Sequence, residues 1–118
     1  MASESGFSIY FKYNRIRFRN SFIHAIGDPE FIHLFIDSKD HIMYIQACEK
    51  DKDAFKVYFK EEWSDSAFYL SGKLLIEFIA RLIGAPDIAS YRYEAVPLDD
   101  KTMMVALDEY EVITKGEE

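Results

Sequence analysis

From Arg15 to Arg19 basic and apolar side chains alternate with period two, the signature of a strand with one buried face. The aromatic and β-branched density of Phe7 to Tyr13 extends the same reading upstream, so residues 7–19 are predicted as extended chain. Asn20-Ser21 is a helix-cap pair, and a short helix from Ser21 to Ile26 puts Phe22, Ile23 and Ile26 on one side. Gly27 stops it and Pro29 blocks its continuation. Phe31–Ile36 and His41–Ala47 then read as two strands joined by the polar turn Asp37-Ser38-Lys39-Asp40.

Beyond a polar stretch from Cys48 to Ala54, Phe55–Phe59 adds a short strand and 60–66 an acidic connector. The order then restarts. Ala67–Leu70 reads as a strand, Ser71 as a cap, and Lys73–Ile83 as a helix with Leu74, Leu75, Phe78, Ile79, Leu82 and Ile83 at the helical period. Gly84-Ala85-Pro86 ends it, strands follow near Ser90–Val96 and Thr102–Leu107, and the acidic tail from Asp108 is expected to fray. Ile-Gly-x-Pro occurs at Ile26–Pro29 and again at Ile83–Pro86, 57 residues apart, each time between a helix and a strand pair. The pattern predicts two diverged copies of one unit, 7–47 and 67–107, inside one compact domain spanning 1–118. A lone unit of this size buries its apolar faces poorly, and two copies face to face solve that.

Composition narrows the class. The chain is 49% apolar and 30% charged with three prolines, which argues against disorder. One cysteine, Cys48, rules out an intrachain disulfide and any cysteine cluster, which fits a reducing compartment. The first residues lack the basic flank and apolar run of a secretory signal, and no apolar run spans a bilayer. A cytoplasmic α+β protein with no membrane partner is the expectation.

Net charge is -7, yet Lys12, Arg15, Arg17 and Arg19 stand in the first twenty residues against Glu4 alone. In a regular strand the three arginines share a face while Ile16 and Phe18 point to the core. Such a row suits phosphates or base edges, as in the β-ribbons that enter a major groove. An ordinary solvated face, or one paired with the chain's own acids, competes with that reading, and a contact with an acidic protein is the third. These four residues are the candidate nucleic-acid-binding set.

The order Arg15-Ile16-Arg17-Phe18, Phe22, Ile26-Gly27, Phe31–Asp37 and Ile42–Ile45 resembles the swapped-hairpin module of the AbrB and MraZ families. That module reads Gly-Arg-Ile/Val-x-Ile-Pro-x-x-Leu-Arg-x-x-Leu-Gly before an apolar hairpin. Its first arginine matches Arg15, its branched residues Ile16 and Phe18, its helix leucines Phe22 and Ile26, and its last glycine Gly27. Asn14, Arg19 and Ile23 stand where the family has glycine, proline and arginine, and Pro29-Glu30 replaces a Gly-Asp. Residues 67–107 match only in outline, anchored on Gly84. MraZ proteins carry two such modules in one chain. The resemblance implies a barrel of interleaved hairpins, homo-oligomerisation, and a DNA-binding regulator or antitoxin contacting duplex DNA.

The other candidates are weak. His24, His33 and His41 lack metal-ligand spacing, with each other or with Cys48, so no metal or other cofactor is expected. Glu61-Glu62, Asp99-Asp100 and Glu109/Glu111 fall in connectors or the tail, where carboxylates stay hydrated. Ser64, Ser66 and Ser71 have no nucleophile-elbow setting and Gly27 and Gly84 no phosphate loop. The sequence therefore predicts no enzyme. The competing reading is an acidic protein-interaction or structural module, presenting some of Phe7, Tyr10, Phe11 and Tyr13 to a partner or to another copy of the chain.

Overall fold

The computed structural model describes residues 6–57, 67–84 and 90–113. The alternating segment forms strand β2, Arg15–Arg19, with Ile16 and Phe18 fully buried. The run 7–19 is not one extended segment. It is β1 (Gly6–Tyr10), a single 3-10 turn at Phe11–Tyr13, and β2, with Asn14 left-handed at φ 51° between them. Asn adopts that conformation more readily than most residues, and Phe11 plugs the core from the turn. The aromatic density that suggested a continuous strand thus includes the anchor of a reversal. In the resulting hairpin Phe7 faces Phe18 and Ile9 faces Ile16 on the core side, while Ser8 faces Arg17 and Tyr10 faces Arg15 on the other.

Helix α1, Asn20–Ala25, follows β2 directly; Arg19 holds the cap position without a side-chain cap bond, so Asn20-Ser21 does not cap it. Gly27 at φ 89° turns the chain out, and the Gly27 and Asp28 amides donate to the His24 and Ile23 carbonyls. The hairpin β3 (Phe31–Asp37) and β4 (Ile42–Cys48) follows, its turn held by Asp37 Oδ1 accepting from the Lys39 and Asp40 amides. Strand β5 is only Phe55–Lys56; the remainder of the predicted 55–59 strand beyond residue 57 lies outside the described residues.

Strand β6, Ala67–Ser71, absorbs Ser71, and Gly72 takes the cap position of α2, Lys73–Ile83, while its amide donates to the Asn14 carbonyl at 3.0 Å. Gly84 at φ 68° closes α2. The face of α2 that packs inward centres on Ile76 and Ile79, with Ile83 partly buried beside them. Leu75, Ile79, Leu82 and Ile83 of the predicted apolar set pack in or against the core, whereas Leu74 and Phe78 are exposed and Ile76 takes a core place that the prediction left out.

Two antiparallel five-stranded sheets result, ordered β10-β7-β1-β2-β6 and β5-β3-β4-β9-β8. The expected barrel is not formed: among the described residues neither sheet closes on itself or continues into the other. The physical reason lies in one bent hairpin. The predicted strand 90–96 breaks at buried Ala95 into β7 (Ser90–Glu94), which joins the first sheet, and β8 (Val96–Pro97), which joins the second. Opposite them run β9 (Thr102–Ala106) and β10 (Glu111–Val112). Val96 pairs with Met104 and Arg92 with Glu111, so residues 93–95 face residues 105–110 and the ladder is interrupted. Barrel closure needs an unbroken ladder with a constant stagger. The tail from Asp108 to Ile113 does not fray: β10 pairs with β7, Ile113 is buried, and the Tyr110 ring stacks on Tyr91. Residues 114–118 lie outside the described residues.

The first sheet joins the two segments twice, β1 with β7 through Ser8↔Arg92 and β2 with β6 through Arg17↔Tyr69, and the second once, β4 with β9 through Tyr44↔Met104. Between the sheets lies a single core, with Phe7, Phe18 and Phe22 in mutual ring contact at 5.2–6.0 Å and Tyr93 stacked on Phe7. Met43, Ile45, Met103 and Val105 supply the opposite wall. Burying each such side chain contributes roughly 1.5–3 kcal/mol, enough to fix which way every strand faces. No helix among the described residues is long and apolar enough to cross a membrane.

Candidate nucleic-acid interface

Because Ile16 and Phe18 are locked inward, Arg15, Arg17 and Arg19 emerge together on the outer face of the first sheet, Arg15 exposed and the other two half-buried. Lys12 is exposed too, but it sits in the turn, with its ammonium 5.7 Å from the Tyr13 ring centroid, and does not belong to the strand row. Strand β2 lies inside the sheet, between β1 and β6. The arginines are therefore presented on a sheet face rather than on a two-stranded ribbon.

The register adds a residue that sequence reasoning missed. Reading across the strands gives Glu111, Arg92, Ser8, Arg17, Tyr69 in one row. Strands are about 4.8 Å apart, so Arg92 and Arg17 stand on the order of 10 Å apart over Ser8. Four guanidiniums thus share one face. Ser-Tyr-Arg-Tyr-Glu at 90–94 carries the period-two signal that turns Arg92 outward, but nothing local says which strand lies beside it.

Neighbours hold these groups. Arg17 Nε donates to the Tyr69 hydroxyl at 3.2 Å, and the Arg15 guanidinium lies 5.5 Å from the Tyr69 ring centroid, a cation–π contact. Arg92 Nη1 donates to Glu111 Oε1 at 3.2 Å, while Arg92 Nε is buried and finds no acceptor among the described residues. A buried donor left without a partner costs about 1–3 kcal/mol, so an acceptor arriving there is favoured. Where the face meets the interrupted hairpin a groove of about 570 Å3 opens, with Ser8, Arg19, Arg92, Val96, Met104 and Tyr110 among the residues that line it.

The remaining candidates do not assemble. Each histidine sits against an aspartate: His24 with Asp28, His33 with Asp51 at 3.3 Å, and His41 with Asp108 at 3.0 Å. Among the described residues no three His, Cys, Asp or Glu side chains converge as metal ligands. Burial, and then the charge of Asp51, push the Cys48 thiol up, away from the reactive thiolate. Asp99 Oδ1 accepts from the Lys101 amide in the β8–β9 turn, and Asp100 is exposed beside it. Glu61, Glu62, Ser64 and Ser66 lie outside the described residues. Exposed Glu109 and Glu111 border the groove.

No protein-family model, no curated protein and no solved structure matches this chain, so the resemblance to AbrB and MraZ rests on the residues quoted for it.

Proposed function

We propose that the outer face of the first sheet binds nucleic acid through its backbone, and that the protein acts as a DNA-binding regulator or antitoxin-like protein rather than by catalysis. The observation that carries this reading is the gathering of Arg15, Arg17, Arg19 and Arg92 on one face of an acidic protein. Charge segregated in this way attracts a polyanion at short range although net charge repels it at long range. The resemblance of residues 15–45 to AbrB and MraZ modules points the same way. A sheet face meets phosphates along a strand, whereas major-groove readout uses a narrower two-stranded insert.

Fluorescence anisotropy with duplex and single-stranded DNA at low and moderate salt tests the reading. The intact protein is expected to bind with an affinity that falls as salt rises. The Arg15/Arg17/Arg19→Ala variant loses most of that binding, and each lost phosphate contact flattens the salt slope by about 0.7–0.9. No binding by the correctly folded protein would sink the proposal.

A second reading has its own observation. On the outer face of the second sheet Phe35, Tyr44, Met104 and Val96 form one cross-strand row, and Phe35 and Val96 are 50% and 56% exposed. Exposed apolar side chains set side by side suit a protein contact or a second copy of the chain. Sedimentation would separate the two readings: a monomer at all concentrations removes self-association from the list.

A further inference from the structure

The surroundings of the apolar row on the second sheet say what covers it. The Leu98 amide donates to the Thr102 carbonyl at 2.8 Å, so the β8–β9 ladder runs one residue further and exposed Leu98 joins the outer face. The row beside it is uncharged except for His33: Gln46 Nε2 donates to Thr102 Oγ1 at 3.4 Å, and the His33 ring lies 5.5 Å from that of Phe35. Among the described residues the strand positions of this face carry two fixed charges, Asp37 and Lys56. The register sets them at opposite ends of β3, Asp37 opposite Ile42 and Lys56 opposite Phe31. In a chain that is 30% charged with a net charge of -7, two copies repel wherever acids meet acids. This face removes that obstacle. Five strands about 4.8 Å apart and seven residues long make it about 20 by 20 Å, so two such faces bring together about 800 Å2. That lies below the roughly 1,200 Å2 at which stable interfaces begin, in the range of weak, reversible contacts.

We infer that the outer face of the second sheet packs on the same face of a second copy, turned end for end, in a weak two-fold dimer. This rests on the reading of that face as a contact surface and commits it to one occupant. The two charges fix the arrangement. Turned end for end, each copy brings the Asp37 end of β3 over the Lys56 end of the other, and symmetry makes the attraction twice. Rotation about an axis along the strands would instead lay Asp37 over Ala106 of the other copy, a carboxylate on apolar surface with no cation. Asp51 reaches the His33 side of the face, where His33 engages it at 3.3 Å. Salt screens the repulsion between the two net charges as well as the exposed rim pairs, and leaves the apolar contact intact. Rising salt therefore does not dissolve the dimer, the reverse of its effect on nucleic-acid binding.

Sedimentation equilibrium of the full chain, from about 1 µM to 1 mM, is the test. The expected result is a monomer–dimer equilibrium with a Kd of about 10–100 µM. Met104 points outward at the middle of the face and is only half-buried, so Met104→Lys keeps the wild-type circular dichroism and abolishes the dimer. Lys56→Glu sets an acid against Asp37 of the other copy and weakens association about fivefold. Adding Asp37→Asn to it keeps an oxygen for the Lys39 and Asp40 amides and recovers most of that loss. A dimer that survives Met104→Lys uses another surface and overturns the inference. One indifferent to Lys56→Glu overturns the end-for-end arrangement. A monomer throughout overturns the second copy altogether. The contact reading itself then survives only if that monomer binds anilinonaphthalene sulfonate and Met104→Lys does not; without dye binding, both fall.

Discussion

The two sheets bury similar side chains and show different ones. Inward, both present apolar residues to one core, Phe7, Ile9, Ile16 and Phe18 from one sheet, Ile32, Met43, Ile45 and Val105 from the other. Outward, the first presents Arg15, Arg17, Arg19, Arg92, Ser8 and Tyr69, while the second presents the row Phe35, Tyr44, Met104 and Val96 with Ile42 and Ala106 beside it. The inner faces must satisfy packing, so they converge. The outer faces are free of that demand, and they diverge. Charge with tyrosine and serine on one side, and contiguous apolar surface on the other, point to two different kinds of contact on one small molecule.

The largest expected effect removes the shared interior. Phe18 is fully buried, with ring centroids 5.4 Å from Phe7, 5.2 Å from Phe22 and 5.7 Å from Phe68. Phe18→Ala is expected to cost about 3–5 kcal/mol in urea denaturation. Both faces should lose their function together, because both are positioned from the same core. An intact second face in a Phe18→Ala protein that no longer binds nucleic acid would show that the sheets are more independent than their packing indicates.

A smaller effect comes from the joint between the sheets. Tyr93 is buried and its hydroxyl donates to the Leu107 carbonyl at 3.0 Å, across the interrupted ladder. Tyr93→Phe leaves that carbonyl without its donor and is expected to cost about 1–3 kcal/mol at neutral pH. Burial, then the neighbouring Tyr91, Tyr110 and Asp108 charges, raise the Tyr93 phenol well above its ordinary value. An acid with a raised folded-state pKa favours folding fully below its unfolded value, near pH 10, and loses that contribution as pH rises further. The stability gap between the wild type and Tyr93→Phe should therefore narrow above about pH 10. A gap that stays constant to pH 11 would contradict this assignment.

On the outer face of the second sheet the expected change in stability is small. Phe35→Ser with Val96→Ser should alter folding by no more than about 0.5 kcal/mol per site, since neither side chain is part of the core. If that row is a contact surface, the same pair lowers self-association in sedimentation equilibrium and leaves DNA binding unchanged. The mildest probe is Cys48, half-buried on the same face opposite Phe31. Its raised pKa disfavours the thiolate, so its reaction with a disulfide reagent should run slower than that of a free cysteine, and reach the free rate in denaturant.

Local pattern carried part of the fold and of the site. The bounds of α2 follow from its helical period and from Gly84, and the β3–β4 hairpin from two apolar runs around an aspartate turn. The inward set of β2 and its outward arginines follow from alternation alone. What escaped was decided across the chain. Arg92 joins the arginine face because β1 lies between β7 and β2, a choice of neighbour that no window of sequence contains. The reversal at Asn14 was hidden because aromatic residues serve a turn's core anchor as well as a strand. The break at Ala95 reflects the six residues that face three across the hairpin, a property of the pairing rather than of either strand. Leu74 and Phe78 mark the same limit, since a helix apolar on several sides does not state which side the core will take.

The central place of β1 also sets a timetable for folding. Ser8 sits between Arg17, within reach at once, and Arg92, more than eighty residues further along. On the ribosome the first hairpin can form early, yet its strand β1 waits several seconds for its other neighbour at elongation rates of about 5–20 residues per second. Pairing over such separations is slow even in the finished chain, on the millisecond-to-second scale of high-contact-order domains. The face that gathers the arginines is thus among the last things the chain assembles, and a nascent protein carries β1 with one edge unpaired until nearly all of the described fold has emerged.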